Sequence, residues 1–217
     1  MLDNKLGITD RVELARVEEK LSKAQAHKLF TSGFLDDKTA GSFQTLTAIH
    51  TFLFGEIDDF AGQMRKVNSG KGNFRFAPVM YLEVALKNID AMPQSNVDEI
   101  IEKYVEMNIA HPFCEGNGRS TRIWLDHILK QQLQQVVDWS LVAKDDYLLA
   151  MERSPIKDVE IKVLLKQALT EQIHSSAIYM KGIDASYYYE GYTLYKTQDI
   201  AIDQDAAINS AHHRPCH

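Results

Sequence analysis

The sequence predicts an all-α protein with one short β-hairpin on its surface. Apolar residues recur every three to four positions over most of the chain, which is the period of helices that bury one face. Only the stretch 64–78 departs from this period, because Phe74 and Phe76 alternate with Arg75 after a turn rich in Gly, Ser and Lys. The 217 residues contain no internal repeat and no linker-like segment, so we expect one domain.

Several of the predicted helices are marked by residues typical of helix ends. Asp10 followed by Glu13 is typical of a capped N-terminus. Ser42 is a similar cap, and Gly55 predicts the end of the helix that Ser42 begins. Pro78 then lies where the first turn of the next helix is expected.

The later helices are predicted on both sides of a polar loop. One runs up to His111, and another comes after the loop, with Leu125, Ile128, Leu129 and Leu133. The pair Ser154 and Pro155 reads as a cap and a first-turn proline, so we expect a further helix from there through Leu169.

Charge and apolar pattern argue against several classes of function. The formal net charge is −6, which argues against general binding of nucleic acid or of an anionic membrane. No apolar run approaches the roughly 20 residues of a membrane span, and the first ten residues lack the pattern of a secretory signal. Two cysteines, Cys114 and Cys216, form no disulfide framework, so we expect a cytoplasmic protein.

The end of the chain, 205–217, is predicted to be a disordered tail. It contains His212, His213, Cys216 and His217, but their spacing matches no structural zinc pattern. The eight histidines of the chain also include no pair with helical metal spacing near a carboxylate, which argues against a zinc enzyme.

The stretch "HPFCEGNGRSTR" at 111–122 has the features of an anion-binding loop. Gly116 and Gly118 bracket Asn117, which allows positive φ and a close approach of backbone N–H groups to a ligand. A helix is expected directly afterwards, so its free N–H groups face the same space. Arg119 and Arg122 are three positions apart and share a helix face, suited to several phosphates.

Two further residues of this stretch bring reactive chemistry. His111 can act as a neutral base near neutral pH, and Glu115 is an oxygen ligand of the type that Mg²⁺ prefers beside phosphates. Together they indicate transfer of a phosphorus-containing group. A Gly/Asn turn between helices is also common without function. The segment "NSGKGN" at 68–73 is not a Walker A loop, because it lacks that motif's spacing.

The twelve residues at 111–122 resemble the signature of the Fic family, His-Pro-Phe-x-Asp/Glu-Gly-Asn-Gly-Arg-x-x-Arg, at every defined position. Upstream, "FAGQMRKVN" and "GNFRFAP" resemble that family's flap region, and "SPIKDVEIKVLLKQALT" downstream resembles its later core helices. The resemblance implies a Fic-type helical bundle with a short β-hairpin flap. It also implies protein adenylylation, the transfer of AMP from ATP to a Tyr, Thr or Ser hydroxyl of a target protein.

The resemblance also implies how the chain is divided. An N-terminal helical segment packs on the Fic core, and a C-terminal inhibitory helix follows it before the tail. The expected bounds are 1–41 for the N-terminal segment, 42–180 for the core, 65–77 for the flap, 111–122 for the Fic loop, 181–195 for the inhibitory helix and 205–217 for the tail.

Roles for the loop residues follow from the same resemblance. His111 would take the proton of the attacking hydroxyl, and Glu115 would hold Mg²⁺, or another divalent ion, as cofactor. ATP would be the substrate, and its phosphates would be bound by Gly116, Asn117 and Gly118 at the α-phosphate, Arg119 at the leaving pyrophosphate and Arg122 at the γ-phosphate.

The flap would align a segment of the target protein by strand-like pairing. Phe113 would be a core anchor beneath the loop, and Tyr147 would be either a wall of the base pocket or a core tyrosine. The flap residues expected to position the target are Asn73, Phe74, Arg75 and Phe76.

Gly118 separates two branches of the resemblance. In the related Doc toxins, which phosphorylate their targets, the Gly-Asn-Gly segment resembles Ala-Asn-Lys instead. A lysine there would crowd and recharge the loop, so Gly118 favours nucleotidyl transfer.

The stretch "SYYYEG" near the end of the chain matches an inhibitory pattern of Fic proteins, Ser/Thr-x-x-x-Glu-Gly/Asn, through Ser186, Glu190 and Gly191. Glu190 would pair with Arg122 and occupy the charge that the γ-phosphate needs. The alternative is an aromatic helix that only packs against the core.

Other readings stay open from the sequence. A tyrosine at 187–189 could be a site of self-modification. Glu190 could activate water and remove AMP, which would make the enzyme bifunctional or mainly de-adenylylating. The chain could also be a catalytically silent nucleotide-binding module, although the presence of His111, Glu115 and both arginines argues against this. A homo-oligomer is compatible with the sequence.

Overall fold

The computed structural model describes residues 4–72 and 74–200, and it confirms the predicted all-α fold. The helices are α1 (Arg11–Thr31), α2 (Phe43–Phe54), α3 (Val79–Asp90), α4 (Val97–Ala110), α5 (Asn117–Leu133), α6 (Lys144–Arg153), α7 (Val159–Gln167) and α8 (Ser176–Tyr189), with a short 3-10 turn at Trp139–Leu141. The strands are β1 (Gly70–Lys71), β2 (Phe74–Arg75), β3 (Val136–Val137) and β4 (Leu169–Thr170).

Helix α5 lies at the centre of the core, since it packs against α2, α4 and α8. Its side chains Trp124, Leu125 and Ile128 are fully buried. Phe113, which we expected to anchor the loop, is also fully buried. The N-terminus of α5 carries the second half of the 111–122 stretch, so the candidate site rests on the most enclosed part of the fold.

The two predicted caps are confirmed. The Asp10 carboxylate accepts the Glu13 N–H at 2.8 Å, and α1 begins at the next residue. The Ser42 hydroxyl accepts the Thr45 N–H at 3.1 Å, and α2 ends directly before Gly55. Each such cap contributes about 1 kcal/mol to helix stability.

The helix predicted from Ser154 and Pro155 is wrong at both ends. Ser154 closes α6 instead, because its hydroxyl donates to the Met151 carbonyl at 2.8 Å. A serine hydroxyl can bond to the preceding turn as readily as to the following one, so it marks a helix end as well as a start. Leu169 lies in β4, which pairs with β3 in a second small sheet that the sequence did not predict.

Helix α1 packs against α2 and α8, and most of its buried residues are polar. Glu19 and Lys23 are buried and form an ion pair of 3.0 Å. Lys23 Nζ also lies 3.1 Å from an Asp184 carboxylate oxygen in α8. Glu19 accepts the N–H groups of Leu194 and Tyr195, each at 3.1 Å. Helix α1 therefore ties the segment that follows α8 to the core.

The predicted hairpin is present but short. Strands β1 and β2 are antiparallel, with Gly70 opposite Arg75, so Gly70 lies in a strand and not in the bend. Gly72 occupies the bend with φ of 56°, a conformation that glycine adopts without strain. Asn73 and the predicted tail 205–217 lie outside the described residues. No helix within the described ranges has both the length and the apolar character needed to cross a bilayer.

Candidate active site

The 111–122 stretch forms a loop and then the first turns of α5. His111 caps α4 in the left-handed region, with φ of 48°, which is uncommon for a residue with a Cβ. Gly116, with φ of 73°, directly precedes α5. A Cβ on Gly116 would lie 2.5 Å from the Phe54 ring, so backbone and space both require glycine there. The first N–H groups of a helix have no partner within it, so the start of α5 at Asn117 supplies the donors that the anion-binding interpretation requires.

Two buried side chains hold the loop in shape. The Asn117 amide accepts the Phe113 N–H at 2.9 Å and donates to the Phe113 carbonyl at 2.8 Å. His50 accepts the Gly62 N–H at 3.0 Å through Nδ1, which leaves Nε2 to donate to the Glu115 carbonyl at 2.9 Å. Burial lowers the pKa of His50 to about 4, so this neutral tautomer persists at physiological pH. His50 was not predicted from the sequence, because a histidine inside an apolar helical run carries no local sign of this role.

The His111 ring is held against the flap and is uncharged near neutral pH. It stacks on the ring of Phe76 from the flap, with centroids 3.6 Å apart and an angle of 9° between the planes. Burial, together with the charges of Arg65 and Lys71, lowers the pKa of His111 to about 4, although Glu190 acts in the opposite direction. The ring is therefore uncharged near neutral pH and able to accept a proton.

Arg119 is 1% exposed and is held by two carboxylates. Glu18 of α1 pairs with Nη1, and a Glu190 oxygen lies 2.7 Å from Nε. The Glu190 contact is close but poorly aligned, so Nε and Nη2 make no hydrogen bond within the described part of the chain. Nη2 is thus a buried donor open to an anion, whereas Nε already faces the Glu190 carboxylate. Three aromatic rings lie 4.7–5.2 Å from the guanidinium carbon, those of Phe54, Tyr187 and Tyr192.

Arg122 is buried one turn further along α5 and is bound to the end of α8. Its Nε donates to the Ser186 hydroxyl at 2.6 Å, and Nη2 donates to the Ser186 carbonyl at 3.0 Å. Nη2 also donates to a Glu190 carboxylate oxygen at 3.1 Å. Tyr147 is buried, and its hydroxyl lies 3.4 Å from Nη1 and 2.6 Å from the Tyr104 hydroxyl. The structure therefore places Tyr147 in the core, against Arg122.

Glu190 bridges Arg119 and Arg122, whereas we expected a pair with Arg122 alone. Helix α8 begins earlier than the predicted 181–195 and ends at Tyr189, so Glu190 is its C-cap. Gly191 follows with φ of 95°, which lets the chain turn away directly after the carboxylate.

The three consecutive tyrosines of α8 have different environments. Tyr187 and Tyr189 are buried. The Tyr187 ring lies beside the Arg119 guanidinium, and the Tyr189 ring stacks on that of Tyr147. Tyr188 is 52% exposed. The aromatic stretch therefore docks α8 through its first and third rings and presents the second to solvent.

Glu115 and the flap face the open side of the loop. The Glu115 side chain is 57% exposed, and its carboxylate lies 3.8 Å from Arg119 Nη2. In residues 4–72 and 74–200 there is no group of three or more His, Cys, Asp or Glu side chains placed to share a metal ion. In the flap, the ring centroids of Phe74 and Phe76 lie 5.3 Å apart, and Arg75 is exposed.

Comparison with protein families places the same region in a known group. Residues 41–129 match the Fic/DOC family, described as Fic. A protein of Sinorhizobium fredii named "Probable protein adenylyltransferase y4lH" is 28% identical over 166 residues, which cover 71% of this chain and 83% of that protein. Protein adenylyltransferase VbhT of Bartonella schoenbuchensis is 27% identical over 184 residues, which cover 77% of this chain but only 37% of VbhT.

Solved structures show the same fold. The BepC protein of Bartonella tribocorum, crystallised with bound AMPPNP, superposes with a TM-score of 0.63 at 19% sequence identity. The superposition covers 78% of this chain and 92% of BepC.

Proposed function

We propose that the protein, whose residues 41–129 match the Fic/DOC family, is an adenylyltransferase that moves AMP from ATP to a hydroxyl side chain of a target protein. The observation that carries this proposal is the meeting of a neutral base with two buried arginines around one helix N-terminus. His111 lies at one end of the loop, and Arg119 and Arg122 lie on the helix at its other end.

The residues of the chain divide the reaction between them. His111 accepts the proton of the target hydroxyl, whose oxygen then attacks the α-phosphorus of ATP. The first N–H groups of α5 bind the α-phosphate, since the Asn117 side chain is already committed to Phe113. Arg119 binds the departing pyrophosphate and Arg122 the γ-phosphate.

A Mg²⁺ ion fits this set of residues. Glu115 offers one exposed carboxylate beside Arg119, and Mg²⁺ commonly takes one or two carboxylates while phosphate oxygens and water complete its shell. When bound, the ion supplies charge stabilisation for the phosphates. The role of Glu115 is to hold it on the open side of the loop.

Gly118 supports nucleotidyl transfer over phosphoryl transfer. A Cβ at this position would lie 2.6 Å from a Glu190 oxygen and 3.1 Å from both terminal nitrogens of Arg122. A larger residue would displace the guanidinium that we assign to the γ-phosphate. Glycine keeps that end of the site open to the whole triphosphate.

We further propose that Glu190 inhibits the enzyme. Its carboxylate contacts both arginines, at 2.7 Å and 3.1 Å, and so occupies the positions assigned to the β- and γ-phosphates. ATP must then bind in a displaced pose, and a displacement of about 1 Å at the α-phosphorus can cost about 10²-fold in rate. Burial of Tyr187 and Tyr189 supports this, because it holds α8 in place.

The transferred group decides between the candidate activities. The Glu190→Gly variant would be incubated with Mg²⁺, a cell lysate and ATP labelled either at the α- or at the γ-phosphate. Adenylylation predicts that the added variant raises protein-bound label over the lysate alone with α-labelled ATP but not with γ-labelled ATP. A rise with γ-labelled ATP would indicate phosphoryl transfer, and no rise with either would favour a silent nucleotide-binding module. Loss of label from already modified proteins, faster with wild type than with Glu190→Gly, would identify removal of AMP by Glu190.

Self-modification is proposed for Tyr188, since it is the exposed member of the three tyrosines. Peptide mass spectrometry after incubation with ATP and Mg²⁺ should find AMP on Tyr188 and none on Tyr187 or Tyr189. Absence of AMP from all three would remove this part of the proposal.

A further inference from the structure

The side chain of Arg65 lies beneath the loop, outside the 111–122 signature, and is 3% exposed. Among residues 4–72 and 74–200, every hydrogen bond of this side chain goes to a backbone carbonyl, and all three of its nitrogens donate. Nε donates to His111 at 2.7 Å, Nη1 to Val67 at 2.9 Å, and Nη2 to Ala77 and, at 3.1 Å, to Ala110.

Two of these carbonyls belong to the end of α4. The last carbonyls of a helix have no partner within it, and Arg65 satisfies those of Ala110 and His111. The Arg65 N–H also donates to the Pro112 carbonyl at 2.8 Å. His111 has φ of 48°, a conformation that costs about 1–2 kcal/mol for a residue with a Cβ. The Arg65 contacts on both sides of this residue stabilise that backbone.

The other two carbonyls lie at opposite ends of the flap. Val67 comes before β1 and Ala77 after β2, and both accept from the same guanidinium. The flap residue Phe76 stacks on the His111 ring. One buried side chain therefore joins the backbone of the base to both ends of the hairpin whose ring covers it.

We propose that Arg65 is a positioning residue that fixes the position of the His111 base relative to the flap. This inference rests on the proposed function, in which the base and the target segment meet between these two elements. A guanidinium suits the task because its planar fork spreads its donors over separate carbonyls. Lysine carries its three donors on a single nitrogen and cannot span the same carbonyls, although it keeps the charge.

The first test measures the flap without any catalytic assay. Limited trypsin digestion, resolved by mass, would follow cleavage after Lys71 in the flap and after Lys87 in α3 as an internal reference, since both residues are exposed. Arg65→Lys should speed cleavage after Lys71 about tenfold, a change of the size expected for one lost charge-assisted hydrogen bond, with little change after Lys87. Arg153→Lys, the same exchange at an exposed site, should change neither rate.

Two outcomes of the digestion would overturn the proposal. Equal cleavage after Lys71 in wild type and Arg65→Lys would show that Arg65 does not hold the flap. An equal rise after Lys71 and Lys87 would show that Arg65 only stabilises the whole fold.

The second test separates positioning of the base from nucleotide binding. In the Glu190→Gly background, Arg65→Lys should lower the maximal rate of AMP incorporation about 10²-fold, as expected for a displacement of about 1 Å. The KM for ATP should stay within about twofold, because Arg65 contacts neither Arg119 nor Arg122. A raised KM with an unchanged maximal rate would contradict the assignment. If Glu190→Gly itself incorporates no AMP, the proposed function fails, and the digestion alone decides the link between Arg65 and the flap.

Discussion

The two sides of the candidate site are held by different kinds of interaction. On the side of the base, His111 is held through its backbone by Arg65, and its ring is neutral near neutral pH. On the other side, the Glu190 carboxylate contacts both Arg119 and Arg122, and Arg122 also donates to the hydroxyl and the carbonyl of Ser186.

This difference separates a permanent part of the site from an exchangeable one. Backbone carbonyls cannot leave their positions unless the fold opens, so the base is set before any ligand arrives. Side-chain carboxylates can move away, and phosphate oxygens offer the arginines the same charge and hydrogen bonds. Removing one partner of a buried ion pair without a substitute is costly, so we expect Glu190 to leave only when an anion takes its place.

Removal of the base should have the largest effect. His111→Ala deletes the proton acceptor, so AMP incorporation from labelled ATP should fall at least about 10²-fold in the Glu190→Gly background. His174→Ala, an exposed histidine outside the site, is the matched control and should label normally. Equal labelling by both variants would place the base elsewhere.

Removal of the Glu190 carboxylate should raise AMP incorporation, whereas removal of the base lowers it. Glu190→Gly frees both arginines and should raise incorporation about 10²-fold over wild type. Glu171→Gly, an exposed glutamate in the loop before α8, serves as the control and should match wild type. If Glu190→Gly labels no better than wild type, Glu190 is a structural contact and not a brake.

The buried tyrosine pair connects the two sides, because Tyr104 lies on α4 and Tyr147 contacts Arg122. Tyr147→Phe leaves the Tyr104 hydroxyl buried without its partner, so the free energy of unfolding should fall by about 1–3 kcal/mol. The double variant Tyr104→Phe, Tyr147→Phe removes both hydroxyls and should lie closer to wild type. Chemical denaturation measures the difference, and equal losses in the single and double variants would contradict this account.

The pH dependence of the rate should show the smallest effect. Burial lowers the pKa of His111 to about 4, and a base is active above its pKa, so the rate of Glu190→Gly should stay level from pH 8 down to pH 6. A histidine of ordinary pKa would already lose about half its activity near pH 6.5. Glu190 raises the pKa of His111, so its replacement by glycine lowers that pKa further. The rate of this variant is therefore still expected to stay level over this pH range. A midpoint near pH 6.5 would show that the ring is not tuned by burial.

Local features were predicted well because their causes are local. A capping side chain such as Asp10 or Ser42 bonds within its own first turn, and Gly116 adopts the positive φ that was expected. The same expectation was wrong for Gly118, because α5 already begins at Asn117 and Gly118 is helical. Ser154 was misread for the same reason, since a serine suits either end of a helix and only the neighbouring turns decide which.

Non-local partners were missed because the residues are far apart in the chain. Glu18 pairs with Arg119, which is 101 positions away in the chain. It lies on α1, which was predicted from its cap and its apolar spacing, and neither of these indicates a partner for Glu18. His50 meets Glu115 across 65 positions, and Arg65 meets His111 across 46. In each case the sequence shows an ordinary polar side chain beside apolar ones.

The sequence by itself determined the helical class, the caps, the loop at 111–122 and the chemical groups placed along it, because these depend on residue type and on spacing over a few turns. Only the tertiary structure decided that Glu190 bridges two arginines, that Glu18 adds a second carboxylate and that Arg65 binds the base to the flap. These contacts form only when α1, α8 and the flap pack around α4 and α5. The pairing of these charged residues is therefore decided by the packing of the core and cannot be predicted from any short segment.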